Sequence, residues 1–182
     1  MSFGKQVVAT KIELIKIRRS MQISKMVHKI LDDKREVLLK KIDEMIDEAN
    51  KAREDIWDPL DDIYKSIFQS YLTLGNSVIQ SLASSTPPSI AVDVHIKRIV
   101  DVKIPSLEVS TKNKSPNLTY GFSDTNSSLD QATKLIRDIL PGICKAAEYE
   151  NAIFSLAKEL EKTQKLINAL EYVIIPQYQN AL

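Results

Sequence analysis

Apolar residues recur at steps of three and four along most of this chain, in two stretches much longer than a helix of a small globule. In the first, Leu14, Ile17, Met21, Leu31, Leu38, Ile42, Met45, Ala49, Ala52 and Ile56 form a stripe interrupted by Ser24, His28 and Arg35. After Pro59 the stripe resumes one residue out of phase as Leu60, Ile63, Ile67, Tyr71, Leu74 and Val78. From about Thr10 to Ser81 the only helix breakers are Pro59 and Gly75. The spacing therefore predicts one long helix, kinked at Pro59, where a backbone donor is missing and the ring crowds the preceding turn. In the second stretch Ala146, Tyr149, Ile153, Leu156, Leu160, Thr163, Ile167, Leu170 and Ile174 alternate the two steps without a slip. A 3-4 seam of this kind packs one partner helix in a left-handed coiled coil. At about 1.5 Å per residue, some 70 helical residues would reach roughly 105 Å, which excludes a compact globule.

The second helix is expected to open at Ser128, as an N-cap with Gln131 as its reciprocal partner, and to be disturbed early by Pro141-Gly142. Between the helices the period changes. Val92, Val94 and Ile96 alternate with Asp93, His95 and Lys97, and Val100, Val102 and Ile104 alternate with Asp101 and Lys103. Period two predicts a β-hairpin with one covered face, its second strand ended or edged by Pro105. Ser110 to Asn126, rich in Ser, Asn and Thr, reads as a mobile loop. That segment lets the chain reverse, so the two helices pair antiparallel with each other. The expected fold is mainly α: a long antiparallel two-helix left-handed coiled coil with a short β-hairpin and loop between the helices. Residues 1–83, 84–126 and 127–182 are its three segments, within one elongated domain.

Composition adds exclusions. Four Gly and 6% aromatic residues in 182 fit long helices better than an aromatic-anchored globule. A formal net charge of +1 gives no overall-charge argument for nucleic-acid binding. One cysteine, Cys144, rules out an internal disulfide, and with no apolar leader the default setting is cytoplasmic. No run of about 18 apolar residues is present, so any membrane association is peripheral. There is no phosphate-binding Gly loop and no Cys/His metal spacing, and the two histidines, His28 and His95, fall in distant segments. No catalytic residue, cofactor or metal site is expected. His28 reads as a polar seam residue that fixes register, and Cys144 as a small core filler.

Charge is sorted along the first helix. Residues 1–30 hold seven cations, Lys5, Lys11, Lys16, Arg18, Arg19, Lys25 and Lys29, against Glu13 alone. Residues 31–62 hold twelve acids against six bases.

One further run is not demanded by a seam. Asn168-Ala169-Leu170-Glu171-Tyr172-Val173-Ile174-Ile175-Pro176 closely resembles the signature of the D subunit of the archaeal-type and vacuolar-type rotary ATPases. Thr10 to Arg19 and Val27 to Arg35 resemble that family's N-terminal helix, and Arg98 to Pro105 its second hairpin strand. Departures are Gln164-Lys165-Leu166-Ile167, where the family is Arg-rich, and Val27 in place of a common Gly. The family also continues several turns beyond Pro176, whereas this sequence runs only to Leu182, an apex shortened either naturally or by truncation.

The resemblance implies a central rotor shaft, non-catalytic, transmitting torque between the hexamer of A and B subunits and the membrane ion-carrying ring, with a cytoplasmic, membrane-peripheral location. Its partners would be the A and B subunits, the F subunit and the C (d) socket subunit. Resemblance and charge sorting together place a hexamer bearing at Lys11, Lys16, Arg18, Arg19, Lys25 and Lys29, with Asn168, Glu171 and Tyr172. The lone Trp57 is either packed core or a docking residue for the F subunit, and of the two a surface position beside Pro59 is favoured. The rival is a prefoldin-like chaperone subunit, which also sets β-hairpins between antiparallel helices. A basic coiled coil binding DNA or RNA is a weaker third.

Overall fold

The computed structural model describes residues 10–86, 90–111, 120–121 and 125–182. Its elements are α1 (Lys11–Leu74), α2 (Asn76–Ser85), β1 (Ile90–Ile99), β2 (Val102–Thr111), α3 (Ser127–Ala169), a π-helical turn (Leu170–Ile174) and α4 (Ile175–Asn180). This is the expected class, two long helices with an antiparallel β-hairpin between them. Most of the loop expected over Ser110 to Asn126 lies outside the described residues. The chain divides into two compact units, residues 1–43 with 154–182, and residues 44–153.

In the unit of residues 44–153, Met45, Ala49 and Ile63 of α1 and Ala132, Ile139, Ala146 and Ala152 of α3 are buried. Alanines at four of these seven positions let the two backbones approach. Contacts between the helices run in opposite directions, from Arg53 to Glu150, with N–O at 2.5 Å, to Ser70 and Asn126 at 3.2 Å. Tyr71, expected on the seam, is instead 42% exposed, and Ser70 is fully buried. Ser70 Oγ can fill that position because it donates to the Ser66 carbonyl and sits 3.2 Å from Asn126 Oδ1.

Both long helices outrun their prolines. α1 is unbroken across Pro59 and α3 across Pro141. What does stop α1 is Gly75, at φ 81 and ψ 158, a backbone region that a side chain makes costly. The helix predicted to reach Ser81 therefore ends at Leu74, and α2 begins on the far side.

Gly142 is different. A Cβ built there would meet only Ile56 Cγ1, at 3.6 Å, an ordinary contact. Gly142→Ala should stabilise the fold by about 0.5–1 kcal/mol, the helix-interior difference between the two residues, read as a higher midpoint in urea denaturation.

The start of α3 corrects the sequence expectation. The cap is Asn126, whose Oδ1 accepts from the Leu129 N–H at 2.9 Å, while Gln131 is exposed. Asn126 also reaches across to Thr73 Oγ1 with its Nδ2, at 2.5 Å, so a single side chain caps one helix and ties it to another. Asn126→Ala should cost about 1–2 kcal/mol, the upper range for cap removal, and Asn126→Asp should retain most of the cap; thermal unfolding of both variants checks this.

β1 and β2 pair in register from Ile90 with Thr111 to Ile99 with Val102. Cross-strand partners share a face. Val92, Val94 and Ile96 thus lie with Val109, Leu107 and Pro105, whereas Ile104 partners Lys97 on the other face. The two apolar sets expected to cover one face are on opposite faces. The packed side is that of Ile104 and Ser106, each 3% exposed; Lys97 Nζ lies 3.7 Å from Glu148 of α3, and the Leu107 N–H donates to the same carboxylate.

In the unit of residues 1–43 and 154–182, Leu38, Leu156, Thr163 and Ile167 are buried. The Thr163 hydroxyl is satisfied by the Glu159 carbonyl at 2.9 Å. Lys34 Nζ meets Glu159 Oε1 at 2.7 Å, with both side chains about three-quarters covered. That hydrogen bond, with help from Lys162, holds the Glu159 carboxyl below its ordinary value of 4.5. A depressed carboxyl contributes stability that is complete above the unfolded value and lost as pH falls through the folded one. Lys34→Met should therefore flatten the stability loss below about pH 4.5, seen by comparing urea midpoints of the two proteins from pH 6 to 3.

Within the Asn168–Pro176 run, the helix takes a π-turn from Leu170 to Ile174. Pro176 has no N–H to return to Tyr172, so an α-helical ladder would be broken here. Instead the Ile175 N–H bonds to the Leu170 carbonyl, five residues back, and one extra residue is taken into the turn. Downstream positions are re-phased: Ile175, Pro176 and Tyr178 are half-buried, while Tyr172 and Val173 turn outward at 71% and 50% exposure.

Candidate interaction surfaces

Among the described residues no cluster of three or more His, Cys, Asp or Glu side chains could hold a metal ion, and no helix is long and apolar enough to cross a membrane. Cys144 is half-buried. His28 is half-buried too, and its Nε2 has no hydrogen-bond partner. What distinguishes the molecule is the set of large apolar side chains left facing solvent on helices already packed on one side.

The first set is in the unit of residues 1–43 and 154–182. Lys11, Lys16, Arg18, Arg19, Lys25 and Lys29 are all exposed. Lys16 pairs with Glu13 at 3.3 Å; the other five make no ion pair among the described residues. Interleaved with them, Ile12, Ile15, Ile23, Met26, Ile30 and Val37 are 48–68% exposed. Ile23, Met26, Ile30 and Val37 are spaced by three, four and seven, so they form a second stripe on α1. Sequence reading missed it because attention to the strongest seam leaves the remaining apolar positions unassigned; their own heptad spacing was the available signal. Asn168 is exposed and accepts from Gln164 Nε2 at 2.8 Å. Glu171 and Tyr172 are exposed on the π-turn. Among the described residues no hydrogen bond or ion pair joins these three to the basic set.

The second set belongs to the unit of residues 44–153. Trp57, Tyr64, Phe68 and Leu72 of α1 are 64–72% exposed and Tyr71 is 42% exposed. At 100° per residue, Trp57, Tyr64, Phe68 and Tyr71 fall within about 60° of one another, beside the buried face that carries Ile63 and Ser70. Around them are Glu54, Asp55, Asp58, Asp61 and Asp62, with Lys65 the one cation between residues 54 and 72. Lys65 is itself engaged by Asp61 at 2.5 Å, which raises its pKa through that hydrogen bond. The stripe is aromatic with an acidic rim, and Trp57 is on the surface beside Pro59, as the sequence suggested.

The hairpin adds a third apolar area on β1, with Val92, Val94 and Ile96 44–70% exposed.

Two long helices joined through a β-hairpin, with apolar stripes left outside the packed faces, define a helical-hairpin protein that presents apolar surfaces to solvent. A family model described as the ATP synthase D subunit matches residues 13–182. The chain is 29% identical to the A-type ATP synthase D subunit of Methanopyrus kandleri, over 94% of this chain and 74% of that one. It is 31% identical to the V-type ATP synthase D subunit of a Thermoanaerobacter species, over 95% and 83%, and 29% identical to the A-type D subunit of Pyrococcus horikoshii, over 95% and 81%. The chain belongs to the family of ATP synthase D subunits.

Proposed function

We propose that this chain is the central rotor shaft of an A/V-type ATPase or ATP synthase, a non-catalytic subunit that carries torque between the A/B hexamer and the membrane ion-translocating ring. The observation that carries the reading is the family match over residues 13–182. In this role the two long helices pair as an antiparallel coiled coil, at the cytoplasmic side of the membrane and peripheral to it. The exposed basic set from Lys11 to Lys29 is the bearing against the hexamer, with Asn168, Glu171 and Tyr172 contributing from the C-terminal helix. Long-range attraction from cations centres a shaft without deep anchors, and the aliphatic stripe beside them offers a surface that slides because it makes no directional bonds. The aromatic stripe around Trp57, fixed rather than sliding, is the docking site for the F subunit. The C (d) socket subunit holds the far end.

Mixing the full chain with the F subunit from the same source and measuring mass by size exclusion with light scattering tests the reading. A one-to-one complex that is lost in Trp57→Ala/Phe68→Ala supports it. A hexameric assembly that ignores the F subunit would overturn it in favour of a prefoldin-like chaperone. In the reconstituted motor, replacing Arg18, Arg19, Lys25 and Lys29 together by Ser should uncouple ATP hydrolysis from ion movement while helical content is retained.

A further inference from the structure

The β-hairpin carries two local conflicts at one tip. Val100 and Asp101 both have positive φ, 49° and 65°, as a two-residue turn that matches strand twist requires. Asn-Gly suits such a turn, whereas a β-branched residue in the left-handed region is strained. In the second cross-strand pair from the turn, Arg98 lies directly opposite Lys103, two exposed cations that repel across the ladder. Among the described residues neither is in an ion pair, although Lys97 and His95 on the other face find Glu148 and Glu108. Unfavourable features that survive together mark a place where something other than the hairpin's own stability is served.

Register supplies the rest. Arg98 and Lys103 share a face with Val92, Val94, Ile96, Pro105, Leu107 and Val109. That face points away from the side where Ile104 and Ser106 are buried, and its β1 half is open, with Ile96 at 70% exposure. The hairpin thus offers an apolar strip ended by two free cations. We propose that this face docks a partner protein segment that is apolar along the strip and carries a carboxylate at the hairpin tip, where Arg98 and Lys103 hold it between them. A carboxylate there converts the repulsion across the ladder into two charge-assisted hydrogen bonds, so the tip is satisfied only when the partner is seated. Its residues are other than those of the Trp57 stripe and of the basic stripe of α1. It rests on the rotary reading only in that the partner is sought among the other subunits of that complex.

The test is photocrosslinking in the assembled complex. A benzoylphenylalanine is placed at position 96 of the full chain, which is co-expressed with the remaining subunits of its own ATPase. We expect one adduct with a second subunit, reduced at least tenfold by R98E/K103E and restored when an Asp or Glu near the crosslinked peptide is changed to Lys. Circular dichroism and retention of the double variant in the complex show that loss is not misfolding. An adduct that the double reversal leaves unchanged overturns the proposal, as does a self-adduct or an assembled complex with no adduct at position 96. A chain that never joins the complex, whatever the residue at 96, instead refutes the rotary reading.

Discussion

Leu156→Ala is expected to lower unfolding stability by about 2–5 kcal/mol, the range for deleting a leucine side chain from a closed core. Leu156 is fully buried, as is Leu38 in the same unit. A two-helix interface has few layers, so the neighbours that could relax into the vacated space are themselves held on helices that cannot approach without moving every adjacent layer. Collapse is therefore limited, and the cost should fall toward the top of the range. Guanidinium denaturation followed at 222 nm gives the number, and Leu156→Met, which conserves volume, should lose less than about 1.5 kcal/mol. Equal losses in the two variants would show that the position is not a closed core site.

Gly75→Ala is the second large effect, and it works through the backbone. At φ 81 and ψ 158 an added side chain would have open space around it, with no atom within 4 Å, so crowding by neighbours contributes nothing. The cost is the conformation itself, about 1–3 kcal/mol for a side chain held in a sparsely populated region. Two outcomes separate the possibilities. A loss in that range with the α1–α2 break intact means the hinge is enforced by its surroundings. A nearly neutral substitution with increased helicity means α1 and α2 have fused into the single helix that the sequence periodicity predicted through Ser81. Hydrogen exchange at Asn76, Ser77 and Val78 distinguishes them: the Gly75 and Ile79 amides already donate to the Tyr71 and Gly75 carbonyls, whereas the first-turn amides of α2 gain carbonyl partners only on fusion.

That second case shows where sequence pattern stops. Helix class, the long seams and the hairpin were legible because period 3.5 and period 2 reflect burial summed over many residues. Single positions were less so. Tyr71 fits the seam by spacing, yet Ser70 takes the buried place because its hydroxyl finds Ser66 and Asn126, a tertiary contact that no local pattern encodes. Asn126 outcompeted Ser128 as the cap for the same reason, since it also binds Thr73. The faces of the hairpin were misassigned because alternation gives each strand's parity but not the register between strands, which the Val100-Asp101 turn sets. Of the candidate surfaces, the basic run could be read from charge sorting and Trp57 from its place as the lone indole beside Pro59, whereas the Tyr64–Leu72 and Ile23–Val37 stripes required knowing which face was already taken.

The π-turn has a consequence for heredity. An α-helix in a continuous seam cannot gain or lose a residue without rotating everything beyond it by about 100°. A π-turn is such an insertion already absorbed. Leu170 to Ile174 is therefore the place in the C-terminal helices where a one-residue deletion could pass through selection with the seam upstream and the half-buried Ile175 and Tyr178 downstream both kept in phase.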